Sequence, residues 1–151
     1  MTKRFSETIV VTTLIFLCMA FPLLAQAQQA NDVRDGVLVH ISHGSESPHH
    51  LLMALKMAVT MAEGGKDVLV YCDIEAVKVL TASGKPVTFD IFPSSHELLN
   101  RLKELKVQVL ACPSCMKVAK IESKDLREGV SVAQKDLLFS FTKGRILSLD
   151  Y

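Results

Sequence analysis

Blocks of apolar residues alternate along this chain with segments of helical spacing. Gly36-Val37-Leu38-Val39-His40-Ile41-Ser42 is a β-branched-rich run of strand length, and Leu51, Leu52, Leu55, Ala58, Val59 and Ala62 then recur at helical spacing up to Gly64-Gly65. Asp67-Val68-Leu69-Val70-Tyr71-Cys72 reads as a second, buried strand, and Ile74 to Leu80 as a short helix stopped before Ser83-Gly84. Residues 85–92 show no period of their own. Ser94-Ser95-His96-Glu97 supplies caps for a helix carrying Leu98, Leu99, Leu102 and Leu105, which leads into a strand at Val107 to Ala111. Met116 to Ile121 suits a helix, 126–132 a brief edge strand or loop, Ala133 to Thr142 a further helix, and Gly144 to Leu149 a closing strand. Strands alternating with helices in this way predict an α/β fold: one domain with a mostly parallel five-stranded sheet covered by helices on both faces.

The first residues follow a different logic. Lys3 and Arg4 give a positive start, Ile9 to Leu24 an apolar core, and Ala25-Gln26-Ala27 a small-x-small cleavage site, the pattern of a secretory signal peptide over residues 1–27. A second cut after Ala30 fits that pattern less well. An uncleaved anchor is the competing reading, but the apolar stretch falls short of the ~20 residues a spanning helix needs. Cys18 lies inside this core and would leave with it. The expectation is a periplasmic or secreted protein with no membrane attachment once the signal is gone. Cleavage takes Lys3, Arg4 and Glu7 out of the 17 basic and 16 acidic residues, leaving 15 of each in a 124-residue domain, 34–151 being its folded part. A chain without net charge implies no nucleic-acid or anionic-membrane partner.

The most informative local feature is Cys112-Pro113-Ser114-Cys115, which stands where the strand Val107 to Ala111 hands over to a helix. A thiol there faces unpaired backbone N–H groups and the positive end of a helix dipole, both of which favour thiolate, and Pro113 suits the first helical position. A plain disulfide, or two inert buried cysteines, is the bland alternative. A structural zinc site would need a second pair of ligands, and the sequence offers no second CxxC and no HxxxH, so no metal and no cofactor are expected. With Cys72 the exported chain has an odd number of cysteines, leaving at least one thiol unpaired within a monomer.

In parallel α/β sheets, ligands gather beyond the carboxyl ends of the strands. Cys112, Cys72 and the pair His43-Gly44 each follow a predicted strand and would meet there: Cys112 and Cys115 as the reactive pair, His43, Gly44 and Cys72 as residues lining the substrate crevice. Cys72 reads equally well as a small buried apolar residue. His40, inside a strand, reads as a hydrogen-bonded interior residue, and His96 as part of a helix start. Met53, Met57 and Met61, with His49 and His50 nearby, have the donor types of a soft-metal site, but methionines at helical spacing are better explained as core filling. Lys117, Lys120, Glu122, Lys124 and Asp125 read as solvated surface.

The stretch Val37 to Gly44 with its following Pro48, the helix end Glu63-Gly64-Gly65-Lys66-Asp67-Val68, and Val107 to Ile121 resemble the DsrE/DsrF-like family of sulfur-relay proteins. That family includes the TusD-type subunits of a tRNA-thiolation relay. Asp125-Leu126 and Glu128-Gly129-Val130 resemble the segment that follows in many of its members, so the resemblance runs over about residues 34–151. It implies a compact parallel α/β fold, a homo-oligomer (trimer or hexamer), sulfur donor or acceptor proteins as partners, and Cys112 as a cysteine that carries sulfur as a persulfide. Two features depart from the family pattern: the export signal, and a CxxC where many relatives have one cysteine. Attack by Cys115 on a Cys112 persulfide would release sulfide and leave a disulfide. The alternatives are a thiol-disulfide redox protein using the same pair, and a non-catalytic oligomeric module that binds a small ligand or metal.

Overall fold

Four parallel pairings order the strands β4-β3-β2-β1-β5. A computed structural model describes residues 33–151, so the predicted signal peptide and Cys18 lie outside the described residues. The elements run β1 (Gly36–Ile41), α1 (Pro48–Glu63), β2 (Asp67–Cys72), a 3-10 turn (Ala76–Leu80), α2 (Ser95–Glu104) and β3 (Gln108–Ala111), then α3 (Pro113–Val118), a second 3-10 turn (Ser123–Asp125), β4 (Val130–Val132), α4 (Lys135–Ser140) and β5 (Ile146–Asp150). All five strands are parallel, as the alternation of elements predicts.

Register decides which residues share a face, because aligned positions in parallel strands point the same way. Val37 pairs with Val68, Val39 with Val70 and Ile41 with Cys72, and Val70 in turn with Val109, so one face is a continuous sheet of small and branched apolar side chains. Against it pack α1, with Leu51, Leu52, Leu55 and Ala58 buried, and α2, with Leu98, Leu99 and Leu102 buried. This is the main core. Pro48 starts α1, and the helix stops where Gly65 takes φ +77°, a conformation that L residues with a Cβ rarely adopt. Ser94 caps α2 through a complete capping box with Glu97.

The opposite face carries Leu38, His40, Leu69, Tyr71 and Leu110. The step from β4 back to β5 reverses direction across the sheet, and a right-handed crossover puts α4 on this side. Leu137 of α4 and Leu110 accordingly line one hollow. Cover is thinner here: α4 buries no residue completely.

Three predicted helices differ in extent from the sequence reading, and two stretches it left open are settled. The expected helix from Ile74 shrinks to the 3-10 turn, with Ile74 itself at φ 44°. Residues 85–92 form neither helix nor strand. The helix after Cys112 begins at Pro113 and ends before Lys120, which takes φ 57°, so Ala119 to Ile121 fall outside it. The segment 126–132 resolves into the edge strand β4, and α4 is shorter at both ends than Ala133 to Thr142.

Candidate functional site

Cys112 leaves the end of β3 with its backbone still in the sheet: its N–H donates to the carbonyl of Cys72 at 2.9 Å. One residue later the chain turns into α3, for which Cys112 is the N-cap (φ −61°, ψ 118°) and Pro113 occupies the first turn. The Cys112 sulfur accepts from the Cys115 N–H at 3.4 Å, the role an oxygen plays in an ordinary cap. Met116, 4% exposed, anchors the short helix in the core, while Cys115 is half-buried. All three described cysteines are free thiols.

Electrostatics divides the proton between the two sulfurs. Burial pushes the Cys112 thiol up, but hydrogen bonds from the Cys115 thiol, the Tyr71 hydroxyl and the N–H groups of Cys115 and Ser114 outweigh it and bring Cys112 below the ordinary thiol value. Cys115 is pushed up, first by its thiol's bond to Cys112 and then by burial, with the charges of Cys112 and Asp73 adding to this and the Ile74 N–H opposing it. Tyr71 is also raised, by burial and by its bond to Cys112, and so remains a hydrogen-bond donor. Cys112 is thus the more acidic of the two thiols, flanked by Cys115 and Tyr71, which both hold their protons more tightly than usual.

Tyr71 reaches Cys112 because of register. It pairs with Leu110, two residues before the cysteine, on the sheet face opposite Cys72. Beside it, Ile74 adopts left-handed φ although it is β-branched, an outlier that aims its N–H at the Cys115 sulfur.

Behind Tyr71 stands His40, their ring centroids 5.7 Å apart. Nδ1 of His40 donates to Asp150 Oδ1 at 2.9 Å, and Nε2 lies 3.0 Å from Asp73 Oδ2. Burial alone would lower the His40 pKa, but the two carboxylates reverse this and raise it above the ordinary 6.5. An imidazolium whose folded pKa is raised stabilises the fold fully below the unfolded value and loses that contribution as pH climbs through the folded value. The difference in thermal midpoint between wild type and His40→Gln should therefore shrink as pH rises from about 5.5 to about 8.5. A difference that stayed constant or widened across that range would show that the two carboxylates do not hold a charged His40.

The remaining predicted residues stand as follows. Cys72 is 1% exposed, points into the main core, and is pushed by burial to about 12. His43 lies 3.3 Å from Glu46 and its ring meets His50 at 5.2 Å, so its partners belong to its own loop and to α1 rather than to the cysteine pair. Gly44 donates to both oxygens of Glu46, and its Cα faces the Glu75 carbonyl so closely that a Cβ would stand 2.7 Å from that oxygen. The loop after β1 and the turn after β2 thus pack directly together. His49 stacks on Phe89 at 4.9 Å, and Met61 packs against the core. Among the described residues no group of three or more His, Cys, Asp and Glu is arranged to hold a metal ion, and no helix is long and apolar enough to cross a membrane. Sequence reading missed Tyr71, Asp73, Ile74 and Asp150. The available signal was strand alternation at Tyr71-Cys72-Asp73, which turns Tyr71 away from the core and toward whatever ends the neighbouring strand.

Comparison with known proteins adds four findings. The profile of the DsrE/DsrF-like family matches residues 35–142. Among solved structures the fold is similar to the YchN protein from E. coli, with TM-score 0.59 and 18% identity over 78% of this chain and 99% of that one. It is also similar to MTH1491 from Methanobacterium thermoautotrophicum, titled a protein of unknown function, with TM-score 0.52 and 17% identity over 77% of this chain and 99% of that one. No curated protein matches the chain.

Proposed function

Because the chain belongs to the DsrE/DsrF-like family, we propose that it is a sulfur-relay protein that carries sulfane sulfur as a persulfide on Cys112, with Cys115 as the residue that resolves it. The observation that carries this reading is Cys112 as the N-cap of α3, its sulfur accepting the Cys115 N–H at 3.4 Å, where the Cys115 thiol, the Tyr71 hydroxyl and the Ser114 N–H also lower its pKa. A thiolate so held attacks the outer sulfur of a donor persulfide. The new bond joins Cys112 to that sulfur, the donor's S–S bond breaks, and the donor leaves as its own thiolate.

Export supports placing this chemistry in the periplasm or outside the cell. It rests on the basic start, apolar core and Ala25-Gln26-Ala27 of residues 1–27. Sequencing the N-terminus of the chain secreted by a host should find a start just after Ala27 or Ala30, and an uncut chain retained in the cytoplasm would contradict export. A homo-oligomer, trimer or hexamer, is supported by exposed Phe139, Ile146 and Leu147.

The test is mass spectrometry of the reduced mature Cys115→Ser protein, which cannot resolve a loaded Cys112, after exposure to an inorganic polysulfide. A gain of about 32 Da that dithiol reduction removes is expected, with the native spectrum of the same sample reporting a trimer or hexamer. No gain would sink the carrier reading, and a monomer would sink the assembly. Thiol-disulfide exchange is the second reading, favoured by the direct bond between the two thiols. Its signature is a two-proton mass deficit in wild type together with no added sulfur in Cys115→Ser.

A further inference from the structure

One acceptor beside the cysteine pair is left unused. Asp73 is fixed through its backbone, its N–H donating to Ile41 at 3.0 Å and its carbonyl accepting from Ala76 at 2.9 Å. Its side-chain Oδ2 lies 3.0 Å from His40 Nε2 at ion-pair distance, though not aligned as a hydrogen bond, and Oδ1 is buried with no hydrogen-bond partner. A buried carboxylate oxygen without a partner is costly, and folded proteins retain few of them. Asp73 directly follows Cys72, whose carbonyl accepts the Cys112 N–H at 2.9 Å, so its carboxylate stands at the strand end that holds the cysteine pair, and its charge is felt at Cys115. Cys115 in turn must lose a proton before it can attack anything.

We infer that Asp73 Oδ1 is the proton acceptor for Cys115 as its sulfur closes onto Cys112, and that His40, clamped by Asp150, is the residue that positions Asp73. This rests on the reading of Cys112 and Cys115 as carrier and resolving thiol. In the closing step the Cys115 proton passes to Asp73 and the freed electron pair forms the bond to the Cys112 sulfur. The bond from Cys112 to the outer sulfur breaks, and that sulfur leaves with the bonding pair as hydrosulfide, taking the proton back from Asp73. The dithiol loses two electrons and becomes a disulfide, and the sulfane sulfur gains them. A dithiol reductant resets the pair. The titratable groups that face Cys115 are Cys112 and Asp73, with Tyr71, His40 and Asp150 behind them.

Closure can be read without sulfur loading. Dithiodipyridine reacts first with the Cys112 thiolate, releasing one coloured pyridinethione, and Cys115 then displaces the second. In Asp73→Asn the first release should not slow, whereas the second should fall about tenfold or more near neutral pH. That deficit should shrink as pH rises and hydroxide takes over the proton. A second release that is unchanged or faster overturns the inference, since merely removing a neighbouring negative charge would ease ionisation of Cys115. Should Asp73→Asn fail to fold, His40→Gln decides: a slowed second release with the same recovery at high pH supports the positioning role, and an unchanged one contradicts it. Failure of the carrier reading shows separately, as closure that proceeds normally in wild type while Cys115→Ser never gains sulfur from polysulfide.

Discussion

Cys112→Ser should abolish sulfur loading completely while leaving the fold intact. A serine hydroxyl can still accept the Cys115 N–H that the sulfur accepts at 3.4 Å, and serine is a better N-cap than cysteine, so stability should change by less than about 1 kcal/mol. What disappears is the only described thiol held below its ordinary value. Cys72 cannot replace it, being fully buried and pushed to about 12. Cys115 is not the N-cap of α3, and with Cys112 gone burial and the charge of Asp73 still push its pKa up. The reciprocal change, Cys115→Ser, should accumulate the loaded form by removing the resolving thiol. Polysulfide-dependent mass gain in both variants measures this; equal gain in Cys112→Ser and wild type would sink the assignment.

The second large effect is on stability. Leu52 is 0% exposed on the inner side of α1, against the face built from Val37, Val39, Val68 and Val70. Leu52→Ala should cost about 3 kcal/mol, within the roughly 2 to 5 kcal/mol seen for buried leucines that leave a cavity. Against a total of about 5 to 15 kcal/mol for a domain, that loss is severe. A denaturant titration should show the midpoint falling with the slope unchanged. The contrasting change, Ile91→Ala at a residue 89% exposed, should stay within about 0.5 kcal/mol. A loss below about 1 kcal/mol for Leu52→Ala would mean that α1 does not bury the face described.

The parallel sheet was legible because its strands are short apolar runs separated by helical periods, and α1 because Leu51, Leu52, Leu55, Ala58 and Val59 repeat on one side. Local chemistry was equally readable at Cys112, where strand, cysteine and proline follow one another. The turn after β2 was not. Ile74 in a left-handed conformation runs against its β-branched side chain, so propensity points the wrong way, and only packing against the loop that holds Gly44 imposes it. Tyr71 and Asp73 were hidden for another reason: their nearness to the cysteines depends on the alignment of β2 with β3, which no local pattern encodes. Asp150 is farther still, brought to His40 by the pairing of β1 with the last strand.

Position of the added sulfur is the most direct test of the central claim. After polysulfide loading, alkylation and tryptic cleavage, the peptide from Val107 to Lys117 contains Cys112 and Cys115 together, and fragmentation separates them. The extra sulfur is expected on Cys112, in wild type and more abundantly in Cys115→Ser. Sulfur found on Cys115 or Cys72 instead, or on none of the three, would contradict it.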